Sequence, residues 1–132
     1  AVEETESGFL AFVPTGGLTT GCLMDSIRSW VRPTAKIPEL LAHEQGHFDL
    51  AEVYRRLLES TLRGLTELRS TPGEAKAALE ARAAAAAQAI LGRMEAAQAR
   101  YDQETCHGLD EEAQACWLTM IETWLARPEL AP

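Results

Sequence analysis

Two histidines four residues apart, His43 and His47, bracket a glutamate in the run Leu41-Ala-His43-Glu44-Gln-Gly-His47-Phe48-Asp49. On a helix of 3.6 residues per turn, residues four apart point within about 40° of each other, one turn apart. Two imidazoles placed this way can share one metal ion, and Zn2+ suits nitrogen ligands in tetrahedral array. Glu44 lies about 100° around from His43, on the edge of the same face. It is placed to take a proton from a metal-activated water rather than to bind the ion. The chemistry this trio can carry is hydrolysis. Gly46 adds a second signal, because glycine in a helix interior costs about 1 kcal/mol relative to alanine. In a helix otherwise rich in Ala and Leu, it implies that something approaches the backbone closely.

A catalytic zinc takes three protein ligands and keeps one position open. The chain has three histidines, and the third, His107, stands in Tyr101-Asp102-Gln103-Glu104-Thr105-Cys106-His107-Gly108. If the segments flanking Pro72 form an antiparallel helical hairpin, His43 faces Tyr101 and His47 faces Ala97. His107 then lies level with Ile37, about six residues or ~9 Å from His43 along the axis. A helix that ends near Cys106, with Gly108 as its stop, lets the chain bend back across that gap. His107 is therefore the expected third ligand, with Asp102 and Glu104 as rivals on the same segment. Tyr101, level with His43, can donate a hydrogen bond to a developing oxyanion or serve as an aromatic wedge between helices. Asp49, about 240° around from His43, points away from such an ion. Thiolates of Cys22 or Cys106 are further possible zinc ligands.

The elements that must hold these residues are mostly helical. Pro38 and Glu39 open a helix expected over 38–70, with a first helical proline and an acidic first turn. Leu40, Leu41, His47, Phe48, Ala51, Tyr54, Leu57, Leu58, Leu62 and Leu65 recur at three- and four-residue steps along one broad face. Thr71-Pro72-Gly73-Glu74 reads as a capping box opening a second helix over 72–106. Its Ala-rich middle has the highest intrinsic helix propensity. A third helix fits 110–126, halted by Pro128, with Ala113, Trp117, Met120, Ile121 and Trp124 at helical spacing. Residues 1–34 read as a small β or irregular part. Phe9–Val13 and Cys22–Val31 are two short apolar runs across a Gly-rich turn, and the second also fits a helical turn. The expected architecture is α+β and mainly α: a long helical hairpin, a third helix and an N-terminal β element.

The chain has 132 residues, 46% of them hydrophobic and 6% aromatic, which suits one domain packed through small side chains. Twenty acidic against 12 basic residues give a formal charge of -8. That balance repels phosphate backbones and argues against nucleic acid or an anionic membrane surface as partner. No run approaches the ~18 apolar residues of a membrane span, and no signal segment opens the sequence. Cys22, Cys106 and Cys116 are odd in number, so at least one thiol is free, metal-bound or paired between chains.

Together the motifs resemble a bacterial family, the domain-of-unknown-function family 922. The resemblance rests on His43-Glu-Gln-Gly-His-Phe-Asp-Leu-Ala-Glu52, on Tyr101-Asp-x-x-Thr105-x-His107-Gly108 and on Gln114-x-x-Trp117, with Ser29-Trp30-Val31 ahead of them. Its members are described as predicted secreted zinc-dependent proteases. The resemblance implies His43, His47 and His107 as ligands of one Zn2+ per chain, Glu44 as general base, a peptide or protein substrate and a periplasmic or secreted location. Two other readings stand beside the peptidase. One is a non-catalytic domain that uses zinc as a staple and binds a peptide or protein. The other is a metal-free helical interaction domain.

Overall fold

The computed structural model describes residues 1–21 and 38–132. The chain divides into two compact units, Ala1–Thr20 with Leu57–Leu91, and Gly21–Arg56 with Gly92–Pro132. The expected run Cys22–Val31, together with Trp30, lies outside the described residues.

The first unit carries a three-stranded antiparallel sheet in the order β1 (Val2–Thr5), β2 (Gly8–Phe12), β3 (Thr66–Arg69). Glu6 and Ser7 turn the β1–β2 hairpin, where the Thr5 hydroxyl donates to Gly8 O and accepts from the Ser7 N–H. β2 pairs on its other side with β3, Phe9 opposite Arg69 and Phe12 opposite Thr66. The apolar run at residues 9–12 is thus the central strand, with Ala11 buried. The polar opening of the chain, within the part read as β or irregular, forms an edge strand exposed at all four positions. Charged residues on an edge discourage pairing with other chains. In β3, Glu67 lies between Arg69, at 2.6 Å, and Arg82 of the second long helix, at 3.0 Å. The Arg82 hydrogen bond is the main reason its carboxyl sits below the usual range.

Strand β3 corrects the expected helix over 38–70. Helix α1 spans Pro38–Arg63 and stops at Gly64, whose N–H still reaches Ser60 O and Thr61 O. Glycine just past a helix end frees the chain to leave it. The residues that follow find backbone partners along β2, which a continued helix would leave unpaired.

Helix α2 spans Pro72–Glu104 and α3 spans Glu111–Ala126. Their starts follow the capping rules. Thr71 Oγ1 accepts from the Glu74 N–H at 3.2 Å, and Asp110 Oδ1 accepts from the Ala113 N–H at 3.0 Å. The result is the expected mainly helical α+β architecture.

In the second unit, residues 38–56 of α1 run beside residues 92–104 of α2, and α3 packs across them. His43 meets Tyr101 and His47 meets Gln98, the register expected for the hairpin. The buried stripe of α1 here is His43, Gly46, Leu50, Val53 and Tyr54. Leu41 and Phe48, placed on the apolar face by their spacing, are exposed. The buried stripe is turned toward Gly46, the position that lets an aromatic ring close to the backbone. Trp117 and Ile121 of α3 complete this core. Trp117 packs against Tyr101 at 5.4 Å and Trp124 at 5.9 Å, with the Arg100 guanidinium over its ring. No helix among the described residues is long and apolar enough to cross a membrane.

Candidate metal centre

His43 and His47 project from α1 one turn apart, as their spacing requires. Their rings meet edge to face with centroids 4.8 Å apart, and His43 stacks on Tyr101 at 4.5 Å. Asp102, from the last turn of α2, completes the cluster. Its Oδ1 lies 2.9 Å from His43 Nε2 and 2.7 Å from His47 Nε2. One ligand atom from each of the three residues falls within 4.8 Å of the others. His43 is only 2% exposed, His47 24% and Asp102 34%, so the cluster opens to solvent on one side. Burial pushes the Asp102 carboxyl up, but hydrogen bonding to the two imidazoles and the nearby His47 and His107 outweigh it, leaving it below its usual value.

The far nitrogen of each imidazole is held by a glutamine. His47 Nδ1 lies 2.5 Å from Gln98 Oε1, and Gln98 Nε2 donates to His47 O at 2.9 Å. His43 Nδ1 lies 2.8 Å from Gln114 Oε1, and Gln114 Nε2 donates to Tyr101 Oη at 2.6 Å. Tyr101 Oη in turn donates to His43 O at 2.9 Å. Two nitrogens and a carboxylate oxygen converging, each ring braced from behind, form a donor set that fits a divalent cation.

The turn after α2 shapes the open side. Thr105, fully buried, donates from Oγ1 to Tyr101 O at 2.6 Å and accepts from the Gly108 N–H. Cys106, His107 and Gly108 then take three successive left-handed conformations, with φ of 51°, 55° and 88°. Such conformations are uncommon for residues other than glycine and cost on the order of 1–3 kcal/mol each. At Gly108, glycine is also required sterically, since a Cβ would stand 2.8 Å from His43 Cβ.

The residues singled out from sequence fall in different places. His43 and His47 converge as expected. Asp102, a rival for the third ligand, enters the cluster. The turn leaves His107 80% exposed beside it, its Nδ1 3.6 Å from Asp102 Oδ1. Glu44 is exposed on α1. Tyr101 is a correction: a phenol has one proton to donate, and Tyr101 gives it to the His43 carbonyl. With the ring fully buried, it is the wedge between helices rather than an oxyanion donor. Burial first, then the Asp102, Glu44 and Asp49 charges, raise its pKa against the Gln114 hydrogen bond, keeping the donor protonated. Asp49 faces away and accepts from Gln45 at 2.8 Å. Cys106 and Cys116 are free, exposed thiols, and Cys22 lies outside the described residues.

Sequence reasoning assigned no part to Gln98 or Gln114. The hairpin register did place Ala97 level with His47, one residue from Gln98, and Gln114 stood in the Gln114-x-x-Trp117 motif without a role.

No curated protein and no solved structure matches the chain. A family described as bacterial protein of unknown function, DUF922, matches residues 24–108, the stretch that holds the histidine pair, Asp102 and the turn through Gly108. The chain therefore belongs to the DUF922 family of bacterial proteins.

Proposed function

We propose that this protein is a zinc-dependent peptidase. The observation that carries the reading is that His43 Nε2 and His47 Nε2, from the helix that also presents Glu44 to solvent, converge with Asp102 Oδ1 of α2. His43, His47 and Asp102 hold the ion, and His107 backs the carboxylate from the rim of the site. The bound ion would supply an acidified water and polarise the peptide carbonyl. Glu44 would act as the general base and then the general acid of such a hydrolysis, a role that calls for a solvent-accessible carboxylate on the helix that carries the two histidines. Peptides or proteins are the substrates, and the periplasm or extracellular space is the location that family resemblance suggests.

Two measurements test this. The first is metal content of wild type, Asp102→Asn and His107→Ala by elemental analysis. About one zinc per chain in wild type, lost in Asp102→Asn and kept in His107→Ala, supports the ligand set. The opposite pattern gives the third position to His107. The second is cleavage of a quenched-fluorescent peptide library by zinc-loaded wild type and Glu44→Gln. Turnover that falls at least ~100-fold in the variant supports the peptidase. Zinc without turnover in any preparation returns the protein to a metal-stapled binding domain.

A further inference from the structure

In each metal-site histidine, the backbone carbonyl of that same residue dictates which atom of the bracing glutamine faces Nδ1. A carbonyl oxygen only accepts, so whatever faces it must donate. At His47 the facing group is the Gln98 side chain, so its amide nitrogen points to His47 O and its oxygen to Nδ1. At His43 the facing group is Tyr101 Oη. Having donated its only proton there, the phenol accepts from Gln114 Nε2, and the Gln114 oxygen is turned to Nδ1. Either way Nδ1 meets an acceptor, and so does Nε2, which faces Asp102 Oδ1 at 2.9 Å in His43 and 2.7 Å in His47. A cation at the convergence point would take the place of any Nε2 hydrogen, leaving Nδ1 to carry the hydrogen of the neutral ring and Nε2 its lone pair for the ion.

We infer that Gln98 and Gln114 are positioning residues that set the Nδ1–H tautomer of His47 and His43 and hold Nε2 ready for the ion. The inference rests on the proposed metal site and deepens it. The braces are neutral amides, whereas a carboxylate in their place would raise the basicity of the histidine ligands. The two are not equally placed. Gln114 is 8% exposed and shares its network with Tyr101, whereas Gln98 is half-buried and acts on His47 alone.

The test is Zn2+ affinity by competition with a chromophoric chelator, combined with 1H–15N spectra of the histidine rings in the zinc-loaded protein. The variants are Gln98→Leu, Gln98→Glu and Gln114→Leu. Wild type is expected to show two slowly exchanging Nδ1–H signals. Gln98→Leu should lose the His47 signal, keep that of His43 and bind zinc about 10–100-fold more weakly. Gln114→Leu should do the converse. Gln98→Glu, which keeps an acceptor, should keep the signal and bind at least as tightly as wild type. If Gln114→Leu fails to fold, the Gln98 pair decides alone. Leucine variants within twofold of wild type, or Gln98→Glu weakened as much as Gln98→Leu, overturn the inference while leaving the metal site standing. A wild type that takes up no zinc overturns the metal site itself.

Discussion

Gly46 and Tyr101 share one space. A Cβ built on Gly46 would stand 2.7 Å from Tyr101 Cζ and nearer still to the hydroxyl, with Leu118 Cδ2 at 3.3 Å on the same side. The ring cannot withdraw easily, because its hydroxyl is tied to His43 and Gln114 and its face lies on His43. Gly46→Ala is therefore expected to lower stability by about 1–3 kcal/mol, the usual range for overpacking. Gly92, in the exposed face of α2, meets nothing within 4 Å, so Gly92→Ala is expected to raise stability by up to ~1 kcal/mol. Urea unfolding of both variants checks the pair. Equal effects would mean that helix propensity alone sets the outcome at both sites.

Tyr101→Phe isolates the hydroxyl from the ring. It removes the second donor to His43 O, which keeps its helical bond, and the acceptor for Gln114 Nε2, leaving that buried amide N–H without its partner. The expected cost is about 1–3 kcal/mol on unfolding. Peptide turnover per bound zinc is expected to stay within a few-fold of wild type, because the hydroxyl is not free to meet substrate. A ~100-fold loss of turnover at full zinc occupancy would restore the oxyanion role to Tyr101.

What could be read from the sequence was what has a period or a fixed chemistry. His43 and His47 were legible because a four-residue step has one geometry on a helix. The cap at Thr71 was legible because a short side-chain oxygen ahead of a helix has one favoured use. β3 was not, because Thr66–Arg69 is polar and joins the sheet only through the β2 backbone, whose position is a matter of tertiary structure. The sequence leaves the Tyr101 hydroxyl between two roles for a related reason. Register placed it level with His43, but a helical projection does not reveal that Gly46 draws the ring in far enough to reach the backbone. The outward turn of His107 depends on three left-handed residues, only one of which, Gly108, announces itself by type.

Glu52 provides a pH signature away from the metal cluster. The hydrogen bond from Arg55 leads in lowering its carboxyl pKa to about 2, against burial, and Arg56 adds to it. A carboxyl whose pKa is depressed by folding stabilises the fold above its unfolded value of about 4.3, and that contribution fades as the pH falls toward the folded value. The stability difference between wild type and Glu52→Gln is thus expected to be constant from neutral pH to about 5 and to vanish between about 4.5 and 2. Its size at pH 7 is expected to be no more than ~1 kcal/mol, since the pair lies near the surface. Denaturant titrations across that range check it, and a difference that grows as the pH falls would contradict the assignment.

Removing the metal should couple to stability through the same residues that bind it. A ligand that binds only the folded chain stabilises it by about 2.7 kcal/mol when present at 100 times its Kd. Chelator is therefore expected to lower the midpoint of thermal unfolding of zinc-loaded wild type by several degrees, and excess Zn2+ to restore it. Asp102→Asn should unfold at nearly the same temperature with or without chelator, because the cluster then lacks its only carboxylate. Glu44→Gln should respond to chelator as wild type does, since Glu44 is placed to move a proton and not to hold the ion. Differential scanning calorimetry of the three proteins separates these parts. A chelator response lost in Glu44→Gln would make that residue a ligand and remove it as the general base.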